Sequence, residues 1–262
     1  MKNDLTVIIM AGGLGKRMNS ELPKVLHKLE HQPMLVMIIN KALKLEPNKI
    51  LIVVGKYKDV IEKTINEYIS SDKIEYVIQQ EALGTGHAIQ CCREYLLEME
   101  LDLMRPHTEE GNVLILSGDV PLISTLTIIA MISKMRKYKA RVSLITTELD
   151  NPTGYGRVIE KNNSFEKIVE EKDCTQEERL VKKINSGIYV IDRTLLCKYL
   201  PYIKNNNAQK EFYLTDIIGI IKNEAKIPIL LYPIPKFKQH EIIGVNTKEQ
   251  LVELSKIYRE NM

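Results

Sequence analysis

The chain is poor in cysteine, in uncompensated charge and in long apolar runs, and each scarcity excludes a class of protein. Its 262 residues include four cysteines, which are Cys91, Cys92, Cys174 and Cys197. They show neither the paired spacing of a metal site nor the density of a secreted disulfide scaffold. We therefore expect reduced, structural thiols and a cytoplasmic protein.

Charge and hydropathy indicate neither a nucleic-acid nor a membrane partner. The 37 Lys and Arg residues barely exceed the 34 Asp and Glu residues, and such a surplus does not indicate a nucleic-acid-binding surface. The basic cluster from Lys134 to Arg141 is assigned to a helix end, where the helix dipole favours cations. The apolar run 5–11 is too short to span a membrane, and charged residues and prolines interrupt the run 217–237.

What the first 150 residues do contain is an alternation of strand and helix patterns. Short runs rich in β-branched residues predict buried strands, and they occupy residues 5–11, 50–54, 74–78, 113–116 and 142–147. The gaps are long enough for parallel crossovers, and the best of them carries a helical stripe from Leu35 to Leu43, with Pro33 in the first turn. The alternation predicts an α/β fold with a doubly wound, mostly parallel sheet, whose ligands bind at the carboxyl ends of the strands.

The pattern changes after residue 151. A turn at Asn162 and Asn163 predicts an inserted β-hairpin, which further elements follow. These are a strand at 188–191, helices at 195–200 and 211–223, and a final helix that begins with a capping box of Thr247 and Gln250. No flexible linker separates the halves, so residues 1–262 are expected to form a single domain.

A glycine-rich loop follows the first strand, with the sequence AGGLGKR at residues 11–17. Its backbone amides can approach an anion closely, and Arg17 adds a fixed positive charge, so the loop predicts a phosphate cradle. It is not a Walker A loop, because Arg17 stands where a magnesium-binding Ser or Thr would follow Lys16. Lys24 can add a second cation to the same polyphosphate. A ligand-free turn and a solvated surface lysine are the alternatives for these two features.

Asp119 follows the fourth strand, in the sequence SGDVP at residues 117–121. Its carboxylate is placed at the same sheet edge as the glycine loop. Mg²⁺ needs one or two protein oxygens and fills its octahedron with water and phosphate, so Asp119 is the leading magnesium ligand. A turn-forming Asp close to a proline is the structural alternative. The sequence shows no nucleophilic serine motif, no cysteine–histidine arrangement and no paired catalytic carboxylates.

The chain resembles the sugar-1-phosphate nucleotidylyltransferases, and most closely the uridylyltransferase domain of the bacterial bifunctional enzymes that make UDP-N-acetylglucosamine. Many short segments match in order over nearly the whole length, which is more specific than any one match. They lie at residues 10–17, 22–27, 79, 83–88, 118–122, 152–157, 169–170, 172–173, 184–187, 207–209, 215–216 and 244–246. The resemblance implies the Rossmann-like fold of these nucleotidyltransferases, with a nucleotide-binding half at 1–150 and a sugar-binding half at 151–262.

The resemblance also implies a set of site residues. Arg17 and Lys24 match the catalytic cations, and Asp119 and Asn246 match the ligands of Mg²⁺. The nucleotide-binding positions are Met10, Ala11, Gly12, Gly13, Gln79, Gly84, Thr85, Ser117 and Gly118, and the positions around the N-acetyl sugar are Gly156, Glu170 and Asn185. Taken singly, Gln79 also fits a polar strand end, the sugar-site residues a hairpin or surface, and Asn246 a turn before a helix cap.

The implied reaction transfers UMP from UTP to N-acetylglucosamine 1-phosphate, with Mg²⁺ as cofactor. Two departures keep alternatives open: Gly12 replaces the usual Ala, and Ser117 replaces an aromatic residue found in many relatives. The alternatives are another sugar 1-phosphate, dTTP as the donor, or a non-catalytic nucleotide-sugar-binding protein. Few residues follow Asn246, so we expect the acetyltransferase activity of the bifunctional enzymes to be absent.

Overall fold

A computed structural model describes residues 4–13, 15–101 and 111–260; Leu14 of the glycine loop lies outside these ranges. The strands are β1 (Leu5–Met10), β2 (Lys28–Leu29), β3 (Gln32–Pro33), β4 (Lys49–Val54), β5 (Ile74–Ile78), β6 (Asn112–Ser117), β7 (Val142–Glu148), β8 (Arg157–Lys161), β9 (Ser164–Val169), β10 (Lys183–Asp192) and β11 (Leu230–Pro233). The α-helices are α1 (Met34–Leu43), α2 (Lys58–Asn66), α3 (Thr85–Gln90), α4 (Arg93–Leu101), α5 (Thr125–Lys137), α6 (Gln176–Arg179), α7 (Arg193–Tyr199), α8 (Asp216–Ala225) and α9 (Lys248–Glu260).

The main sheet has the strand order β11-β7-β10-β6-β1-β4-β5. Strand β10 runs antiparallel to both of its neighbours, and the other pairings along this path are parallel. The β8–β9 hairpin attaches to β10. This topology confirms the predicted mostly parallel sheet and the inserted hairpin, whose turn residues Asn162 and Asn163 both have positive φ.

Two apolar layers cover the two faces of the sheet, which is what makes it doubly wound. Because side chains alternate along a strand, Val7 and Ile9 face one layer and Ile8 faces the other. The first layer contains buried residues of α1, α2 and α5, and the second contains buried residues of α3, α4, α7 and α8. The strands are continuously apolar because helices cover both faces of the sheet, as predicted.

A third, smaller cluster closes the structure beside the glycine loop. Leu254 of α9 packs with Met18, Leu29, Met34 and Val245. The predicted capping box begins this helix: the Gln250 backbone N–H donates to Thr247 Oγ1 at 3.3 Å, and the Thr247 backbone N–H donates to Gln250 Oε1 at 3.2 Å. The α9 helix thus holds the segment before it against the loop that follows β1.

The four cysteines are all free thiols, in agreement with the sequence prediction. The last turn of α5 contains Lys134, Arg136 and Lys137, so the basic cluster does lie at a helix end. Among the described residues, no helix combines the length and the apolar character needed to cross a lipid bilayer.

Two local predictions are wrong. The helix predicted at 211–223 begins at Asp216, because Phe212 pairs with another segment. Its N–H donates to Leu83 O at 2.8 Å, and its carbonyl accepts from the Gly86 N–H at 2.7 Å. Pro33 was expected inside the first turn of α1. It instead pairs with Lys28 in the β2–β3 ribbon, and α1 begins one residue later.

Strand β10 changes register between Asn185 and Tyr189, and Gly187 lies in this irregular part with φ of +77°. A Cβ at Gly187 would meet no atom within 4 Å, so the demand for glycine is conformational rather than steric. Gly219 of α8 also has open space around the Cβ position, but its backbone is helical.

Gly187→Ala and Gly219→Ala should therefore change stability in opposite directions. Left-handed backbone disfavours alanine, so Gly187→Ala should lower the free energy of unfolding by about 1 kcal/mol. Alanine is preferred to glycine inside a helix, so Gly219→Ala should raise it by about 0.5–1 kcal/mol. Urea denaturation of both variants checks the prediction, and shifts of the same sign would contradict it.

Candidate functional site

A cleft of about 290 Å³ opens at the carboxyl ends of β1 and β6. This is the sheet edge at which a doubly wound fold binds its ligands. The structure brings ten of the predicted residues to its wall: Met10, Ala11, Gly12, Gly13, Lys24, Gln79, Gly84, Thr85, Ser117 and Asp119. Residues far apart in the chain thus form one continuous surface.

The floor of the cleft is backbone held by hydrogen bonds between neighbouring strands. The Ala11 N–H donates to Val53 O at 2.8 Å, and the Gly118 N–H donates to Met10 O at 2.9 Å. A Cβ on Gly118 would lie only 3.0 Å from the same Met10 oxygen. Glycine at this position therefore lets the loop after β6 pass close to the end of β1.

Gly15 fixes how the glycine loop passes over Lys24. Its φ is +58°, and a Cβ there would lie 2.7 Å from Lys24 Cβ. A side chain at residue 15 would therefore be strained by its backbone and would also displace the lysine. The loop and Lys24 are packed together as one unit, as the predicted phosphate cradle requires.

A cluster of charged and polar side chains lies beside this loop. Lys24 Nζ forms an ion pair with Asp119 Oδ2 and donates to Asn246 Oδ1 at 3.0 Å. Arg17 donates to the same Asn246 oxygen at 3.0 Å. The Lys24 and Asp119 side chains are only 14% and 17% exposed, so water screens their charges little. The structure thus places four residues from three segments within reach of one another.

Two hydrogen bonds position Asn246, one to the Asp119 segment and one to α9. The Val245 N–H donates to Asp119 O at 2.9 Å, and the Asn246 N–H donates to Gln250 Oε1 at 2.7 Å. Ser117 Oγ donates to Asp119 Oδ1 at 2.7 Å, which fixes the carboxylate orientation. Ser117, which stands where many relatives have an aromatic residue, therefore hydrogen-bonds to the predicted metal ligand Asp119.

The oxygens of this cluster fit a magnesium ion. A single ammonium nitrogen contacts both Asp119 Oδ2 and Asn246 Oδ1, so the two oxygens converge on one cation position. A carboxylate and an amide oxygen are hard donors suited to Mg²⁺, which takes its other ligands from water and phosphate. Among the described residues, no group of three or more His, Cys, Asp and Glu side chains offers a site made entirely of protein ligands.

The opposite end of the cleft is built around Gln79, which is 7% exposed. Its Nε2 donates to Gly84 O at 3.1 Å. Gly84 has φ of +115°, and a Cβ there would lie 2.6 Å from Phe212 O, so this turn requires glycine. Thr85 Oγ1 accepts from the Leu214 N–H at 3.1 Å. The segment 212–214, which sequence reasoning placed in a helix, therefore supports this end of the cleft.

Gly12 lies directly against Gln79. A Cβ on Gly12 would be 3.1 Å from Gln79 Oε1 and 3.4 Å from the Gly55 nitrogen. An alanine at this position would press on the Gln79 amide, so this departure from the family pattern changes the space around one predicted base-reading group.

Gly156, Glu170 and Asn185 form a second cluster at the hairpin. The Asn185 N–H donates to Gly156 O at 2.9 Å, and a Cβ on Gly156 would lie 3.4 Å from Glu170 Oε2. Thr215 Oγ1 donates to Glu170 Oε1 at 2.9 Å. Burial raises the pKa of Glu170 above its ordinary value; the Thr215 hydrogen bond opposes this shift, and the nearby Asp216 charge adds to it.

Tyr155 connects the two clusters, although sequence reasoning gave it no role. Burial raises the pKa of Tyr155, the charge of Asp119 raises it further, and a hydrogen bond with the Gly244 backbone opposes the shift. The phenol is therefore near both Asp119 and the segment that carries Asn246. Thr215 was likewise missed. Both residues stand in segments that match the family, but their contacts span too much sequence for a local pattern to reveal them.

Comparison with known proteins identifies the family of the chain. The nucleotidyl transferase family matches residues 6–227. A probable UDP-N-acetylglucosamine pyrophosphorylase of Acanthamoeba polyphaga mimivirus is 42% identical over 96% of this chain and 95% of its own length. The bifunctional protein GlmU of Alkaliphilus metalliredigens is 40% identical over 97% of this chain. The match covers 52% of that protein, so this chain spans about half the length of the bifunctional relatives.

Solved structures show the same fold at low sequence identity. A UDP-glucose pyrophosphorylase crystallised with UDP-glucose superposes with a TM-score of 0.76 at 18% identity, over 100% of both chains. A putative glucose-1-phosphate thymidylyltransferase from Bacillus anthracis gives 0.72 at 19% identity, over 98% of this chain and 96% of that one. These likenesses support the arrangement of strands that places the cleft.

The half-buried acid Asp216 predicts a pH effect on stability. Burial, with the nearby charge of Asp173, raises the pKa of Asp216 from 3.8 to about 6. The stability contributed by the protonated form is therefore fully present below about pH 4 and is lost as the pH rises through 6. Asp216→Asn, which is always neutral, should gain stability relative to the wild type over this range. Thermal unfolding at pH 4.5, 6 and 7.5 measures the difference, and parallel curves would contradict the assignment.

Proposed function

The chain belongs to the nucleotidyl transferase family, and on that premise we propose that it transfers UMP from UTP to N-acetylglucosamine 1-phosphate, forming UDP-N-acetylglucosamine and pyrophosphate. The convergence of Arg17, Lys24, Asp119 and Asn246 beside the glycine loop carries the proposal. The choice of base and sugar is supported by the relative named as a probable UDP-N-acetylglucosamine pyrophosphorylase.

The proposed reaction needs alignment and charge neutralisation rather than a general base. A sugar 1-phosphate is already anionic, so its own oxygen attacks the α-phosphorus of UTP. The new bond joins that oxygen to phosphorus, and the bond between the α-phosphorus and the bridging oxygen to the β-phosphate breaks. The electron pair leaves on pyrophosphate, with no proton transfer in the step. The charge that develops on the phosphate oxygens is what the site must stabilise.

Each part of the phosphate end has a role in this scheme. The backbone of Gly12 and Gly13 faces the triphosphate, because both residues line the cleft and a Cβ on Gly13 would meet only open space. Arg17 and Lys24 neutralise the α-phosphate and the leaving pyrophosphate. Asp119 and Asn246 would hold Mg²⁺, which supplies further neutralisation of the triphosphate when bound. The ion pair with Asp119 pre-positions Lys24 near the phosphates before UTP enters.

The other residues select the two substrates in the same proposal. The Gln79 amide and the turn at Gly84 and Thr85 read the uracil edge, since an amide offers both a donor and an acceptor. Glu170 and Asn185 accept or donate hydrogen bonds to the sugar. Residues 1–150 thus act as the nucleotide half and 151–262 as the sugar half of one domain, and the cytoplasm is the proposed compartment.

A second candidate is the same transfer with dTTP or another sugar 1-phosphate. Two observations favour it: the close approach of Gly12 to the Gln79 amide, which an alanine would crowd, and a serine hydroxyl at position 117 where many relatives have an aromatic residue. A non-catalytic nucleotide-sugar sensor is less well supported. Simple binding has less need of the cations Arg17 and Lys24, which the chain carries together.

Pyrophosphate release from a panel of triphosphates and sugar 1-phosphates tests the proposed function. UTP with N-acetylglucosamine 1-phosphate should give the highest rate, and chelation of Mg²⁺ should abolish it. Activity restricted to dTTP with glucose 1-phosphate would replace this assignment with the second candidate. Saturable UDP-sugar binding without any pyrophosphate release would identify a sensor instead.

Lys24→Ala should lower kcat by about 100- to 1,000-fold, the usual effect of losing one group that stabilises transition-state charge. Lys28→Ala is the matched control, because Lys28 is an exposed lysine on the adjacent strand β2, and it should retain kcat. Steady-state kinetics with UTP and N-acetylglucosamine 1-phosphate make the comparison. Equal rates for the two variants would remove Lys24 from the mechanism.

A further inference from the structure

Lys41 is a largely enclosed lysine that the proposed mechanism does not use. It lies in the last turn of α1, and its Nζ donates to the carbonyl oxygen of Pro121 at 2.6 Å. Pro121 belongs to the segment that follows β6 and carries Asp119. Burial lowers the pKa of Lys41 to about 8, while the nearby charge of Glu241 raises it and that of Lys44 lowers it.

Glu241 ties the same segment to the chain that leads to Asn246. It is 4% exposed, and its Oε2 accepts from the Ser124 N–H at 3.1 Å. Its other oxygen lies 3.6 Å from Lys238 Nζ, which also donates to Thr127 at 3.1 Å. Glu241 therefore holds the far end of the segment and lies five residues before Asn246.

The segment between β6 and α5 is thus fixed at three points along its length. Val245 N–H binds the carbonyl of Asp119, Lys41 binds the carbonyl of Pro121, and Glu241 binds the amide of Ser124. The first and third bonds come from the chain around Asn246. The second comes from α1, which packs in the apolar layer on one face of the sheet.

We infer that Lys41 is a positioning residue that sets the separation of the Asp119 and Asn246 side chains, and thereby the affinity of the site for the divalent metal that accompanies UTP. This inference rests on the proposed function. The Lys41 amine acts indirectly, through its hydrogen bond to the backbone carbonyl of Pro121.

The chemistry of the position favours a positioning role over a packing role. An enclosed ammonium loses hydration, and replacement of a buried charge by an apolar side chain of similar volume is often neutral or stabilising when packing is kept. A methionine would fill the same space without that loss. What lysine adds is a charge-assisted hydrogen bond to one carbonyl, and changes in groups that orient metal ligands commonly alter metal affinity by about 10- to 100-fold.

Calorimetric titration with UTP, with and without saturating Mg²⁺ and with no sugar phosphate present, tests this inference without turnover. In the wild type, Mg²⁺ should tighten UTP binding. In Lys41→Met, UTP affinity without Mg²⁺ should stay within about twofold of the wild-type value. The increase in UTP affinity that Mg²⁺ causes should be smaller by about 10-fold. Lys41→Arg retains a donor and should recover most of the gain. Lys44→Met, at an exposed lysine just beyond the same helix, is the matched control.

Kinetics separate positioning from a general loss of structure. Lys41→Met should require a higher Mg²⁺ concentration for half-maximal rate, with an unchanged KM for the sugar phosphate and a melting temperature close to that of the wild type. An equal loss of UTP affinity with and without Mg²⁺, or an unchanged effect of Mg²⁺ on UTP affinity, would overturn the inference. If Lys41→Met does not fold, Lys41→Gln, which shortens the side chain and removes its charge, gives the same comparison. A wild type that binds UTP with Mg²⁺ but releases no pyrophosphate would refute the proposed function and leave this test intact.

Discussion

The candidate site depends on one electrostatic arrangement, in which the Lys24 ammonium contacts an Asp119 carboxylate oxygen and the Asn246 amide oxygen together. Each partner comes from a different part of the fold: the loop after β1, the loop after β6 and the segment before α9. With both charged side chains largely shielded from water, misplacing one leaves the other poorly compensated. The surrounding structure must therefore hold three separate segments in register.

Rigid packing meets that demand from several directions. Gly15 and Gly118 allow backbone to approach Lys24 and Met10 more closely than a Cβ would permit. The α9 helix closes a small apolar cluster beside the glycine loop, and the side chain of its capping-box residue Gln250 also accepts a hydrogen bond from the Asn246 backbone N–H. The bond that a helix cap needs and the bond that orients a candidate metal ligand are thus made by one side chain.

The sequence predicted the strands, the two-sided burial of the sheet and the glycine loop because each has a short-range pattern. The position of Asp119 could also be predicted, since a residue that follows a parallel strand must lie at the carboxyl edge of the sheet. The contacts of Tyr155 and Lys41 could not be predicted, because they join residues far apart in the chain, such as Lys41 and Pro121. The helix predicted over residues 211–214 was wrong for a related reason, because hydrogen bonds with the turn at Gly84 replaced the helical ones.

The reversed strand β10 determines which parts of the chain share a rim. Because β10 runs against its neighbours, its first residues lie beside the last residues of β7, and Asn185 pairs with Thr146. A strand of the opposite sense would carry Asn185 and the attached hairpin to the far side of the molecule, away from the phosphate loop. The hairpin, which pairs with β10 through Arg157 and Ile184, is therefore held at the same edge of the sheet as the glycine loop and Asp119.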